Sequence, residues 1–495
     1  MNRLLGIWEF FTINIVMQPA YFTGFIVMVG YILLGKKWYD VLSGVIKAIV
    51  GYFILTVGSN GLISNFQPII KGMKDIFHVH TIIIDPYIGQ NAVTSGIGVV
   101  YGKSFTHIIA LLLLAFIINI LLVKFRKITK LRVLFTTGHV QFQQASTAFW
   151  LLMFACPFLE NQFIILLLMA VILGLYWAVG CNLTVEPTQE LTRGAGFCMA
   201  HQQQFGIYVF SRIAEWMAKR DLKKGKQIRN LDAIALPSYL SIFKENIVSN
   251  SILMTIFFGT ILLCLGKNYL VSSGFIGEEN NFGFYIITTS LYFSVYLSIL
   301  QLGVRTFITE LTTSFQGISH KLIQGAMPGV DCSILYGFGS SNAVSIGFMA
   351  GALGQFIAIL ILLALKSPTI IIAGFVPIFF DNATIAIYAN NKGGMKAAII
   401  LPCLAGIIQV FGSALIASVV GLSNYGGYLG MFDWATVWPL VTFIIRYFDR
   451  IGLCIIIYIF IRIPQWQYRK DPEGYFLVSD DYEQYVKYKT LKERV

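Results

Sequence analysis

Long apolar runs with almost no charge alternate along the chain with short polar segments. A helix that spans a bilayer needs about 20 mostly apolar residues, because its backbone groups must bond within the helix where no water is present. The first run lacks the basic start and small-residue cleavage site of a secretory signal, so it is predicted to be a retained span. Eleven runs predict eleven spans, near residues 10–35, 41–58, 104–123, 133–156, 161–181, 246–266, 281–304, 340–365, 367–390, 397–421 and 434–462.

Composition agrees with this pattern. Hydrophobic residues make up 56% of the 495 residues and charged residues 12%, whereas a soluble domain carries about 25% charged residues. The chain is therefore predicted to be an all-α polytopic membrane protein, and its net charge of +12 is attributed to membrane-surface loops rather than to nucleic-acid binding. The seven cysteines lack CxxC or Cys/His ligand spacing, so no disulfide, metal site or cofactor is expected.

The basic residues are gathered in particular loops. Segment 124–132 has five basic residues in nine and no acid, and segment 212–229 has seven basic residues against Glu215 and Asp221. Short loops rich in Lys and Arg stay in the cytoplasm. The predicted topology therefore has the N-terminus outside and the C-terminus in the cytoplasm.

Three sequence matches in the same order relate the two halves of the chain. Asp85 and Asp331 each precede a tyrosine, at an offset of 246 residues. The other two matches are GLISNFQ (61–67) with ELTTSFQ (310–316) and QNAVTSGIG (90–98) with SNAVSIG (341–347). Chance similarity between apolar segments is the alternative to a duplication. Because the matched spans are five apart, a duplication would be inverted, as in many carriers with a midplane binding site.

The predicted duplication divides the chain into three parts. Residues 1–245 form the first half, residues 246–433 the second, and residues 434–495 the final span and a cytoplasmic tail. Segments 59–100 and 306–333 lie between the matched spans and are too polar for ordinary spans. They are predicted to be re-entrant or interfacial hairpins, which tolerate irregular backbone where protein or a water-filled cavity shields them.

Neutral polar side chains cluster inside two of the apolar regions. His139 and Gln143 are four residues apart and share one helical face. A second cluster, HQQQF, covers residues 201–205. Such groups donate and accept hydrogen bonds without a fixed charge and suit a polyhydroxylated small molecule. The alternative is a packing histidine and glutamines that join helices.

Several carboxylates also lie within or next to the apolar segments. Asp331 precedes a charge-free run and is a site candidate, with Asp85 as its repeat partner. Asp381 is predicted either to cap a broken helix or to face the cavity. Glu186 and Glu190 are predicted to lie in a first helical turn at the cytoplasmic boundary, where the helix dipole favours them.

The chain resembles the ascorbate-specific enzyme IIC permeases of the bacterial phosphoenolpyruvate-dependent phosphotransferase system, the UlaA/SgaT family, from residue 30 to about residue 434. The motifs that carry the resemblance are TGHVQFQQ, EPTQELTRGAGFCMAHQQQF, ENIVSNSILMTIFFG and FVPIFFDNATIAIYAN. The resemblance implies a homodimer of eleven-span protomers in the bacterial inner membrane. In each protomer a core domain would carry the solute past a scaffold domain in an elevator-like step.

The resemblance also implies the site and the partners. L-Ascorbate would be bound by Pro86, Tyr87, His139, Gln141, Phe142, Gln143, His201, Gln202 and Asp331. Separate IIB and IIA proteins would transfer the phosphoryl group, with no phosphorylated residue in this chain, and segment 212–229 is a candidate docking face for IIB. Ascorbate arrives as an anion that a charged Asp331 would repel, so Asp331 is expected to accept bonds from the side-chain hydroxyls or to be protonated.

Two regions depart from the family pattern. The final span contains Arg446, Asp449 and Arg450, which must pair or lie at a water-facing end. The polar tail 468–495 is the second departure.

Two other functions are alternatives to the permease. An ion-driven secondary transporter would use the same inverted repeat and buried polar groups, whereas no H-E-x-x-H, G-x-S-x-G or P-loop spacing supports a membrane enzyme.

Overall fold

The computed structural model describes residues 14–15, 18–77, 80–233, 242, 245–322 and 326–492. These residues are mainly helical, as predicted, and they include six short strands that the apolar pattern did not predict. The helices are α1 Pro19–Leu33, α2 Trp38–Phe77, α3 Pro86–Tyr101, α4 Phe105–Lys124, α5 Arg126–Thr129, α6 Gly138–Ala155, α7 Gln162–Thr192, α8 Gln204–Lys223, α9 Asn246–Leu265, α10 Lys267–Ser272, α11 Phe282–Leu322, α12 Cys332–Leu335, α13 Ser341–Ala364, α14 Asn382–Val419, α15 Phe432–Ala435, α16 Val437–Lys470, α17 Pro472–Asp480 and α18 Tyr482–Lys492. The strands are β1 His80–Ile84, β2 Val133–Phe135, β3 Cys198–Met199, β4 Met327–Val330, β5 Thr369–Ala373 and β6 Gly427–Tyr428.

Within the described residues, six helical segments are long and apolar enough to cross a bilayer, which describes a multi-pass membrane protein. They are Trp38–Leu62, Phe105–Lys124, Gln162–Thr192, Phe282–Leu311, Ser341–Ala364 and Pro377–Val419. The predicted spans 367–390 and 397–421 differ from the structure, which forms a strand first and then α14, with a break at Gly394 (φ 69°). The start of the first predicted span, and with it the expected absence of a signal sequence, falls outside the described residues.

Two long helices, α2 and α11, pack along each other through small residues. A Cβ on Gly303 would lie 2.2 Å from the backbone nitrogen of Leu55, and one on Gly58 would lie 2.4 Å from that of Leu300. Such close approach is typical of helix pairs in membranes, where association depends on packing. These helices continue through residues 59–77 and 306–322. The first parts of the two segments predicted to be hairpins are therefore helical, and β1 and β4 come after them.

The six strands form two three-stranded parallel sheets, in the orders β5-β1-β6 and β2-β4-β3. His80 is in register with Thr369, and Val133 is in register with Met327. Strand β1 is buried from its second residue onward and β5 is buried throughout. A parallel strand covered on both faces has a continuous apolar sequence, so by pattern alone β2 and β5 were assigned to membrane helices.

Buried carboxylates hold the starts of several helices. Asp85 accepts a hydrogen bond of 2.9 Å from the Tyr87 backbone amide at the start of α3. Asp381 accepts one of 2.7 Å from the Phe432 amide at the start of α15. Asp381 makes no capping bond to the helix that follows it, so it caps a helix remote in sequence rather than the broken helix of its own segment, and it does not line the cavity.

The prediction for Glu186 and Glu190 was wrong. Both lie in the last turns of α7, which runs through Pro187 to Thr192. A helix C-terminus disfavours negative charge, and here cations compensate for it. Glu190 is paired with Lys392 and, at 2.7 Å, with Lys489.

The C-terminal tail returns to the basic segment 124–132. The Tyr475 hydroxyl donates to the Lys130 carbonyl at 2.5 Å, and Arg126 pairs with Asp480 at 2.9 Å. Within the last long helix, Asp449 has φ 48° and breaks α16. Arg446, Asp449 and Arg450, predicted to pair or to lie at a water-facing end, are exposed, and no ion pair joins them to other described residues. The packed return of the chain was not predicted.

Candidate solute-binding site

The residues that follow the carboxyl ends of the strands converge on one cavity of about 370 Å³. Tyr87 follows β1, His139 and Gln143 follow β2, His201 follows β3, and Asp331 follows β4. The full lining is Tyr87, His139, Gln143, His201, Gln301, Arg305, Asp331, Ile334, Val376 and Phe380. In open parallel sheets, ligands likewise bind just outside the carboxyl ends of the strands.

An imidazole and a carboxylate form the polar centre of this cavity. His139 Nε2 lies 3.1 Å from Asp331 Oδ2, and the two side chains are 23% and 21% exposed. Both residues and Arg305 also line an adjoining cavity of about 330 Å³. The pair therefore lines both cavities and presents hydrogen-bonding atoms to each.

The orientation of His201 follows from its neighbour. Gln203 Nε2 donates to the Phe380 carbonyl at 3.2 Å, so Gln203 Oε1 faces the imidazole. That oxygen accepts a bond of 2.7 Å from His201 Nδ1. With the proton on Nδ1, a neutral imidazole keeps Nε2 as an acceptor for a solute hydroxyl.

Gln143 is positioned by the second glutamine cluster. Its Oε1 accepts a bond of 2.9 Å from Gln202 Nε2. Its own Nε2 is buried and has no hydrogen-bond partner among the described residues. A buried amide donor without a partner is costly. Gln143 therefore presents a donor that a solute oxygen would satisfy.

Four predicted site residues do not line the cavity: Pro86, Gln141, Phe142 and Gln202. Pro86 is the first residue of α3 and directs the chain toward the cavity. Gln141 donates to the carbonyl of Phe135 at 3.3 Å, which ties α6 to the end of β2. The Phe142 ring packs 5.3 Å from the ring of Phe307. These side chains support the wall rather than face a solute.

Five lining residues were not predicted from the sequence: Gln301, Arg305, Ile334, Val376 and Phe380. Gln301 and Arg305 come from α11, far in sequence from the polar clusters. Arg305 follows directly on the predicted span 281–304, where a cation normally marks a boundary. The four-residue spacing of Gln301 and Arg305 was the available signal, because it places both side chains on one helical face.

His201, Asp331 and Cys332 bring possible metal ligands within 4.8 Å of one another. The Asp331 carboxylate is already paired with His139 at 3.1 Å. Zinc sites normally have four ligands, or three and a water. The grouping is thus a set of hydrogen-bonding atoms around the cavity, and we assign no metal to it.

Apolar spanning helices and a cavity of imidazole, carboxamide, carboxylate and guanidinium groups define the class: a membrane protein with an internal site for a small polar solute. Residues 14–437 match the family described as the sugar-specific permease component of the PTS system, EIIC-GAT. The chain belongs to this family, which confirms the resemblance inferred from the motifs. The ascorbate-specific PTS system EIIC component of Mycoplasma pneumoniae is 30% identical over 434 residues, which cover 80% of this chain and 64% of that relative.

Proposed function

We propose that the protein is the membrane subunit that binds L-ascorbate and carries it to the cytoplasm for phosphorylation by a separate IIB protein, which a IIA protein phosphorylates. The observation that carries this proposal is the meeting of Tyr87, His139, Gln143, His201 and Asp331 in one cavity. The similarity to an ascorbate-specific relative supports the choice of solute.

The cavity suits a compact hydroxylated ring. Its volume of about 370 Å³ falls in the range of small-molecule sites, about 300–1,000 Å³. The free donor of Gln143 and the acceptor nitrogen of His201 bind hydroxyl and carbonyl oxygens of the solute. Asp331, oriented by His139, accepts from the side-chain hydroxyls, which keeps its charge away from the enediolate.

The strand pairing supports the inverted repeat. Strand β1 of the first half pairs with β5 of the second, and β4 of the second half pairs with β2 of the first. Strands β6 and β3 then extend the two sheets in matching positions. Two oppositely oriented halves that exchange strands in this way give the midplane site that inverted-repeat carriers use.

The packing of the helices supports a movement of one unit against another. Helices α1, α2, α9 and α11 pack together, whereas α13 and α14 pack against β5 and α8 packs on α14. We assign the first group to a scaffold that forms the homodimer and the second to a core that carries the solute. An elevator-like step of the core past the scaffold would expose the cavity alternately to each side.

The basic segments support an orientation in the bacterial cell membrane with the N-terminus outside. Lys223, Lys224 and Lys226 are exposed in one stretch at the end of α8 and just after it, so they are free to face the cytoplasm and an acidic surface of IIB. Other cations nearby are engaged, since Lys219 pairs with Glu215 at 2.7 Å.

Two measurements test the proposal. Isothermal titration of the purified protein should show binding of L-ascorbate and no binding of hexitols or hexoses. Cells that express the protein should take up labelled ascorbate only when IIB is present. Accumulation of unmodified ascorbate without IIB, driven by a proton or sodium gradient, would contradict group translocation and favour secondary transport.

A further inference from the structure

One wall of the cavity differs from the rest in origin. Tyr87, His139, His201 and Asp331 follow strand ends, whereas Arg305 projects from α11 on the other side. Arg305 lines both adjoining cavities, and it shares the larger one with Tyr87. Arg305 therefore brings a full positive charge to the cavity from α11, one of the helices assigned to the scaffold.

Among the described residues, Arg305 forms no ion pair with a carboxylate. Within the described part of the chain, no carboxylate oxygen lies within 4.0 Å of its guanidinium. Glu310 on the same helix is paired with Lys47 at 3.3 Å and accepts a bond from Tyr31. Asp331 is paired with His139. An arginine inside a span is costly and is retained where it has a function, and Arg305 lies inside the span Phe282–Leu311.

We propose that Arg305 recognises the negative charge of the solute and makes the site selective for an organic acid anion over neutral sugars. This inference rests on the proposed function. The planar guanidinium donates two parallel bonds to a pair of adjacent oxygens, such as the enediolate edge of ascorbate. Asp331, His201 and Gln143 then bind the hydroxyl-bearing part, so the anionic edge points toward α11 and away from the Asp331 carboxylate.

This arrangement places the two kinds of contact on different units of the protein. Helix α11 packs along α2, whereas the hydroxyl-binding residues belong to the strand ends. When the core moves, the hydroxyl contacts travel with the solute and the Arg305 contact is broken. Arg305 thus acts as a charge filter in one position of the core and does not hold the solute in the other.

The test compares two ligands on three forms of the purified full-length protein: the wild type, Arg305→Gln and Arg305→Lys. The ligands are sodium L-ascorbate and the neutral L-galactono-1,4-lactone, titrated at one pH and one salt concentration. We expect Arg305→Gln to weaken ascorbate binding about 10- to 100-fold, the effect of losing one hydrogen-bonded charge, and to leave lactone binding unchanged. Arg305→Lys should retain part of the affinity, because it keeps the charge and loses the planar fork.

Arg446→Gln is the matched control, since Arg446 belongs to α16, lies over the ring of Phe154 and does not line the cavity. It should bind ascorbate as the wild type does. Unchanged ascorbate affinity in Arg305→Gln would overturn the assignment of Arg305 and leave the proposed function intact. A wild-type protein that binds the lactone but not ascorbate, or neither ligand, would refute the proposed function itself.

Discussion

Two aspartates matched by the sequence repeat have different environments. Asp85 is fully buried and caps α3 through the Tyr87 amide. Asp331 lies in the cavity and is paired with His139. The same residue type at two matched sequence positions therefore caps a helix in one place and lines the cavity in the other. The sequence match predicted where the carboxylates lie along the chain, and it did not predict their partners.

The first prediction concerns His139 and Gln143. Replacing either with Ala should weaken ascorbate binding. For His139→Ala the loss should be about 10-fold or more, because Asp331 loses its partner in a charge-assisted hydrogen bond. For Gln143→Ala the loss should be smaller, in keeping with about 0.5–1.5 kcal/mol for a neutral hydrogen bond. Isothermal titration measures both effects. Gln162→Ala, at an exposed position at the start of α7, is the control, and wild-type affinity in both cavity variants would remove these residues from the site.

The second prediction concerns Gln202, which orients Gln143 and does not line the cavity. Gln202→Leu should weaken ascorbate binding less than Gln143→Ala does. Because the two amides act through one hydrogen bond, the double variant should be no weaker than Gln143→Ala alone, a coupling that a double-mutant cycle measures. Additive losses would show that Gln202 acts independently of Gln143.

At the scale of secondary-structure elements, the short strands determine where most of the cavity-lining residues lie. Each strand from β1 to β5 ends at a residue or turn that contributes to the cavity wall. Strands β2 and β5 are fully buried and mostly apolar, so they have the same composition as a spanning helix, and length and periodicity alone did not separate them from one. The residues after them were nevertheless recognisable, because a polar group in an apolar segment is costly unless it has a role.

The third prediction concerns the contact between α2 and α11. A methyl group at Gly303 would lie 2.2 Å from the Leu55 nitrogen, a backbone atom that cannot move aside. Gly303→Ala should therefore lower the unfolding temperature, at a cost of about 1–3 kcal/mol typical of overpacking. On the same helix, Gly283→Ala would meet only the Asn281 side chain at 3.4 Å and should be tolerated. Equal thermal stability of the two variants, measured by a thiol-reactive unfolding assay in detergent, would contradict this packing.

At the scale of the whole molecule, the C-terminal tail ties distant segments together. Residues 438–492 lie beyond the part that matches the family, yet they contact both α7 and segment 124–132. Arg132 is buried, and its guanidinium lies 3.8 Å from the centre of the Tyr475 ring. Asn182 donates to the Tyr475 hydroxyl at 2.8 Å. The tail is thus part of the folded protein at its predicted cytoplasmic side.

The fourth prediction concerns Tyr475. Tyr475→Phe should destabilise the docked tail by about 1–3 kcal/mol, because the Lys130 carbonyl and the Asn182 amide lose a buried partner. Hydrogen exchange should then be faster in segment 124–132 and in α17. Tyr447→Phe removes a hydroxyl from a side chain that is 77% exposed and should leave exchange unchanged. Unaltered exchange in Tyr475→Phe would show that the hydroxyl does not hold the tail.

The amino-acid sequence alone determined the membrane class, the family and five residues of the cavity, because hydrophobicity and costly buried polar groups are properties of local segments. Only the tertiary structure decided that strands cross between the halves, that Asp85 and Asp331 differ, and that α11 supplies Gln301 and Arg305. These features depend on which distant segments pack together. Packing brings together residues that are far apart along the chain, and their spacing in the sequence does not indicate that they are in contact.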